Sequence, residues 1–561
     1  MRGYKKIAII SLCFSLLIVR SKEAPGGVSF HGISVEEQNE LARTMPLEPY
    51  GETVEYTLAK LTGVNNMPAG DTYENNAITR CLYEKLNIRN KDVLEAAGDE
   101  YNNKIDVLIA SNKLPDVMVL TDYSDLEYLV EHDMIEDLTE SYNNCATDKI
   151  KHIYRSYGKS ILENVTFNGK IMALPETNID HGPNLLWLRK DWIDKLGLKE
   201  PSTKEDVEQI IEAFVKNDVS GKGTTGIMIN KKMVGELGYD NEYSLESVFA
   251  LFNAYPKNWI EKDDKIVYGS VTDEARDALL YIRGLFDRGI IDRNFLLRDI
   301  ENIREEIVKG RCGSFYGPWW AANNPLIDAI KEDPAAEWKC YLISPNGDGQ
   351  LAYYTQAPSY KYVVVRKGYE HPEIVFKMTS VQFDYMRFKD NTNEEVNLYE
   401  RNNIDQTARP LSINVDYSAT LVMSHDNISA VLNGEISADQ LVILDAAYAK
   451  ACLDYLNPKV PFKAEDWAAY TSRITATALI KANKNNKKQK LFFGQTKTMR
   501  SDWWKLEQLE NTSYIEFIIG EKDIETEWDD FVDRWNRLGG EQITKEVVYN
   551  IRKKEMQNRQ Q

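Results

Sequence analysis

The chain has 561 residues, of which 43% are hydrophobic and 28% charged, and a formal net charge of −19 at pH 7. That length argues against a single-domain protein, since domains run about 50 to 250 residues, and the charge argues against nucleic acid as a partner by repelling polyphosphate. Its six cysteines, at 13, 81, 145, 312, 340 and 452, are scattered without a CxxC pair, so no disulfide framework, metal site or cofactor is expected.

In chain order, basic Arg2, Lys5 and Lys6 precede an apolar run at 7–19 broken only by Ser11 and Ser15, the pattern of a secretion signal over residues 1–22. The run is shorter than the roughly 20 apolar residues a membrane span needs. Residues 23–50 are polar and carry Gly and Pro, and read as a flexible linker. Alternation at 54–58 predicts a strand, 114–120 is a short apolar run, and 125–131 and 135–138 show helical spacing. A strand closed by Pro175 is expected over 169–175 and another over 185–188, followed by a helix at 190–196 that stops at Gly197. Thr203 caps a helix over 204–216, with Asp206 at the capping-box position. The lysine-rich stretch 481–490 reads as a solvated helix end or loop, and 552–561 as a frayed polar tail. Strands alternating with helices predict an α/β architecture whose ligands bind beyond the carboxyl ends of the strands.

The most specific local pattern is WLRKDWIDKLGLKEP at 187–201. It closely resembles the W-x-R-K-D-W-L-x-K-L-G-L-x-x-P segment of large family 1 extracellular solute-binding proteins, the oligosaccharide subgroup that serves ABC importers. In the same order, GKIMALP at 169–175, GSFYGPWW at 313–320, HPEIVFKM at 371–378, FFGQTKTM at 492–499 and the segment 517–547 resemble family stretches. The resemblance covers roughly residues 50–555. It implies a two-lobed periplasmic-binding-protein-like clamshell of type 2, each lobe discontinuous in sequence, with helical C-terminal additions. The corresponding division is 51–168 for the first part of lobe 1, 169–355 for the first part of lobe 2, 356–430 mainly lobe 1 again, and 431–561 mainly lobe 2 and C-terminal helices. Two departures stand out. Arg20 occupies the place where relatives carry a lipidation cysteine, which leaves a lipid anchor open. Where many relatives have an acidic calcium loop, residues 217–226 read NDVSGKGTTG, with Asp218 a poor remnant, so no calcium is expected there.

The function implied is extracytoplasmic: an oligosaccharide is captured by hinge closure and delivered to permease subunits of an ABC importer, by a monomer that touches the membrane only through an anchor or the transporter. Sugar capture needs aromatic faces for a pyranose and planar polar groups for its hydroxyls, and 11 Trp and 31 Tyr supply the former. Trp319 and Trp320 follow Gly317 and Pro318 at a strand end, one expected toward the core and one toward the cleft, and Tyr316 shares that loop. Trp187 and Arg189 share a strand face, where a core tryptophan and a structural ion pair compete with a ligand role. Glu176, Asn178, Asp180 and His181 form a polar run after a buried-looking strand. Asp122 and Tyr123 offer contacts from the opposite wall, Tyr354 and Gln356 precede Pro358 at a crossing between lobes, and Trp259 is expected in a loop as a cleft aromatic. Trp503, Trp504, Trp528 and Trp535 are expected to pack the core of amphipathic C-terminal helices. Arg189 and His181 would suit a uronate or sulfated sugar, while the overall negative charge argues the other way.

Two other classes compete. A secreted carbohydrate-active enzyme needs two carboxylates at a defined separation, but no GxSxG, HExxH or glycosidase signature is present, so the chain is not read as an enzyme. A sensor that presents bound sugar to a membrane receptor would have the same sequence features, and a permease or kinase gene beside it would tell the two apart.

Overall fold

A computed structural model describes residues 32–63, 65–158, 160–235, 242–389, 392–402 and 404–559. The signal segment expected at 1–22 lies outside the described residues. Strand Val54–Leu61 pairs in parallel with Ile88–Ala96 on one side and Val117–Leu120 on the other. Tyr362–Val365 then adds antiparallel to Val117–Leu120, and Leu174–Pro175 completes the five-stranded sheet beyond it. All four residues of Val117–Leu120 are buried, which explains their unbroken apolar run: both faces of the sheet are covered, so no polar alternation survives. Tyr101 fastens a covering helix to the sheet by donating its hydroxyl to the Val119 carbonyl at 2.8 Å.

A second core forms around the antiparallel strands Ser314–Gly317, Leu185–Arg189 and Trp338–Tyr341. The first core draws on residues from Ala42 to Leu174 and again from Tyr362 to Val415, the second on Leu185 to Tyr354 and again on Leu421 to Val547. Each half is therefore discontinuous, and the molecule is a two-lobed α/β clamshell. The C-terminal helices Lys497–Ile519, Ile524–Trp535 and Glu541–Arg559 belong to the second half, where Trp535 stacks on Tyr268 with ring centroids 5.2 Å apart.

Several local expectations are met in detail. Thr203 caps Lys204–Lys216 in a capping box with Asp206, and Gly197 follows Lys190–Lys195 at φ +66°. Others are not. Within the stretch expected as a linker, Val35–Thr44 is a helix capped by Ser34 and Glu37. Its exit is anchored by buried Lys377, whose ammonium donates to the carbonyls of Ala42, Met45 and Glu48 at 2.6–2.8 Å. Residues 135–138 are extended rather than helical, because Glu136 and Leu138 donate their amides to Val365 and Ile171. An apolar pair three residues apart fits either geometry. The tail expected to fray is helical as far as Arg559. Of the four C-terminal tryptophans, Trp528 and Trp535 are buried in the core, whereas Trp504 is 61% exposed because it sits on the outer face of its helix.

Candidate functional site

The chain passes between the two cores at about 176–184, 355–361 and 416–420, and the three passages lie side by side. Thr177 donates its amide to Asn414, Asn178 to Pro358 and Asp180 to Ser418, each at 2.9 Å. A cavity of about 900 Å³ opens where they meet. Ser156 and Tyr157 line it from the first half, Asn178, Asp180, Gln356 and Ser418 from the passages, and Lys487, Lys490 and Phe493 from the second half. A second cavity of about 570 Å³ adjoins it, sharing Thr355, Gln356 and Lys490, and is walled by Asn184, Glu246, Tyr255, Lys257, Asn258, Tyr353 and Tyr354.

The two cavities are organised by one short pairing. Tyr353–Tyr354 runs parallel to Lys487–Lys488, and Thr355 donates its amide to the Lys488 carbonyl at 2.8 Å. Strand alternation sends the two tyrosines to opposite sides. Tyr353 donates its hydroxyl to both oxygens of Asp180 at 3.1 Å, and Tyr354 packs edge-on against Tyr255 with centroids 5.0 Å apart. Lys487 reaches Asp180 at 3.4 Å, and the Lys488 ammonium lies 4.9 Å from the Tyr255 ring centre. Asn178 and Gln356 tie the passages together, donating side-chain amides to Ala357 and Ile179 at 3.0 and 2.7 Å. Burial raises the Glu246 carboxyl to about 7, and it accepts from the Ser244 hydroxyl and from the Gly235 amide at 2.7 Å.

Of the residues expected at the site, Asn178, Asp180, Tyr354 and Gln356 line these cavities. Glu176 lies just behind them, buried, with Lys361 at 3.0 Å; burial raises its carboxyl pKa and Lys361 opposes the rise. His181 accepts the Trp319 indole proton on Nδ1 at 3.2 Å, and burial lowers its pKa to about 4, which leaves the ring neutral at pH 7. Trp319 is buried beneath the Arg473 guanidinium at 4.8 Å, Trp320 is half-buried against the second core, and Tyr316 is buried within its sheet. Trp187 is fully buried. Arg189 is 6% exposed, forms a two-pronged pair with Asp191 at 2.7 and 2.8 Å and reaches Asp333 at 3.3 Å. Trp259 starts the strand Trp259–Lys262 rather than standing in a loop, and its ring lies 5.1 Å from Tyr268 in the core. On the first half's wall, Asp122 caps the helix Tyr123–Glu131, and Tyr123 donates its hydroxyl to the Asn164 carbonyl at 2.8 Å. The degenerate loop is closed on itself, Asp218 accepting from the amides of Gly223 and Thr224 at 3.0 and 2.7 Å.

Sequence reasoning missed Tyr157, Tyr255, Lys257, Glu246, Ser418, Lys487, Lys490 and Phe493. Tyr255 and Lys257 lie next to Trp259, and the alternation of Trp259–Lys262 was a signal for placing that tryptophan in a strand and looking to its neighbours instead. The lysines carried no such signal, because a charged run is usually a solvated surface.

Comparison with known proteins agrees with this architecture. Over 476 residues, 82% of this chain and 86% of the relative, the sequence is 20% identical to the polygalacturonan/rhamnogalacturonan-binding protein YtcQ of Bacillus subtilis. It is 25% identical to lipoprotein LipO of the same organism over 41% of this chain, a match that spans less than half, 44%, of LipO. The fold superposes on the S. pneumoniae ABC-transporter substrate-binding protein FusA in complex with kestose at a TM-score of 0.57, with 16% identity, covering 91% of this chain and all of that one. Residues 65–379 match the family model described as bacterial extracellular solute-binding protein, and the chain belongs to that family.

Proposed function

We propose that this chain captures an oligosaccharide outside the cytoplasm, in the paired cavities where the three passages meet, and delivers it unchanged to the permease subunits of an ABC importer. One observation carries the reading: the larger cavity takes its lining from both halves and from every passage between them. A ligand seated there touches both lobes at once, so its contacts favour the closed arrangement over the open one, and the differential affinity drives closure. Tyr157, Tyr255, Tyr353 and Tyr354 supply flat faces with polar ends, while Asn178, Gln356 and Asn258 supply planar amides for ring hydroxyls. The ligand class follows from family membership and from the saccharides named for YtcQ and for the FusA complex. No helix among the described residues is long and apolar enough to cross a membrane, so attachment falls to an anchor or to the transporter. The protein acts as a monomer that binds one ligand.

Titration calorimetry across an oligosaccharide panel, with chromatography of the recovered sugar, tests this. Heat at one ligand per chain with the sugar recovered intact is expected. Hydrolysed or transferred product, or no heat with any saccharide, would contradict it.

A further inference from the structure

The lysines around residue 490 carry chemistry that simple sugar capture leaves unused. Lys487 lines the larger cavity, Lys257 the smaller, and Lys490 both. Two carboxyl groups share these linings. Asp180 already accepts the Tyr353 hydroxyl on both oxygens and lies 3.4 Å from Lys487. Glu246 is held by Ser244 and Gly235, and with its pKa raised to about 7 it carries only part of a charge near neutrality. A chain of net charge −19 thus turns more positive than negative charge toward its cleft.

A second observation points the same way independently. Tyr255 lines the smaller cavity, is 7% exposed, and its buried hydroxyl has no hydrogen-bond partner. Burial pushes its pKa up to about 12, so the group is a proton donor without an acceptor. An orphaned buried donor is costly unless a ligand oxygen satisfies it. The two cationic groups that the sequence offered for acidic sugars are engaged elsewhere, Arg189 with Asp191 and Asp333, and His181 neutral against Trp319.

We infer that the cleft selects oligosaccharides bearing anionic groups, uronate carboxylates foremost, with Lys257, Lys487 and Lys490 facing the anions and Tyr255 donating to a ligand oxygen. The inference rests on the capture reading and narrows its substrate class. Closure over a neutral sugar would desolvate the three ammonium groups with no added counter-charge, whereas a uronate supplies it.

Calorimetry at low and raised salt tests the inference, with galacturonate oligomers, neutral galacto-oligosaccharides of matched length and sulfated galactan oligomers as probes. The galacturonate is expected to bind at least about tenfold more tightly than the neutral sugar, an advantage that shrinks as salt rises. Lys490→Gln and Lys487→Gln each lose about fivefold or more for the acid and far less for the neutral sugar. Lys484→Gln, exposed on the same stretch and lining neither cavity, binds as wild type does. Unchanged melting temperatures verify that the variants are folded. Neutral sugar bound as tightly as galacturonate, or lysine variants losing both ligands alike, overturns the selectivity while leaving capture intact. Tighter binding of the sulfated oligomer overturns the assignment of carboxylates. Failure of every saccharide to bind removes the capture reading, and this inference with it.

Discussion

Glu510 shows how much a single buried carboxyl can shape the pH response of the second core. Tyr268 donates to one of its oxygens at 3.1 Å, the other oxygen has no partner, and burial raises its pKa from 4.5 to about 7. The folded protein therefore keeps a proton that the unfolded chain releases. Stability from this group is full below the unfolded value of 4.5 and is lost as pH rises through about 7. Glu510→Gln is expected to match wild type near about pH 5 and to exceed it by up to ~3 kcal/mol near about pH 8. Calorimetric melting across that range checks the slope; equal slopes in the two proteins would count against it, and Glu246, raised to about 7 by burial, accounts for what decline remains. At this scale the sequence separated aromatic groups from polar ones but not core from cleft. Leu185–Arg189 is buried at all five positions, so Trp187 and Arg189 do share a strand face, yet that face is covered too. Its uninterrupted apolar run was the available sign of a strand enclosed on both sides.

The elements most legible in the sequence are those whose signals are local. The capping box at Thr203, the stop at Gly197 and the alternation beginning at Val54 depend on neighbours a few residues away, and each forms as expected. What stayed hidden depends on distant partners: Lys377 fixes the helix Val35–Thr44 from far along the chain, and Tyr353–Tyr354 draws Lys487–Lys488 into the cavity wall. The passages between the halves are the same kind of element. Thr177 is buried, donates its hydroxyl to the Asn414 carbonyl at 3.3 Å and accepts the Asp416 amide at 2.8 Å. Thr177→Val keeps the shape and leaves that amide buried without an acceptor. A loss of ~1–3 kcal/mol is expected in denaturant unfolding. A variant as stable as wild type would show that the backbone bonds alone align the passages.

At the scale of the whole molecule, two discontinuous cores are joined by three parallel ribbons and meet again across the cleft mouth. There Arg500 of the second half pairs with Glu127 of the first, and the Gly494 position packs within 3.5 Å of the Tyr123 ring. Arg500 is 40% exposed, and an ion pair of that kind contributes at most ~1 kcal/mol, weak enough for the lobes to part and re-form it. The clamshell itself was foreshadowed by ordered motifs along most of the chain. Its charge distribution was not, because a net charge of −19 conceals lysines gathered at the cleft by folding. The central claim, that a saccharide between the lobes holds them shut, is tested most directly by small-angle X-ray scattering with and without a saturating oligosaccharide ligand. A smaller radius of gyration and a shorter maximum dimension in the bound protein are predicted; superimposable curves at saturation would contradict the account.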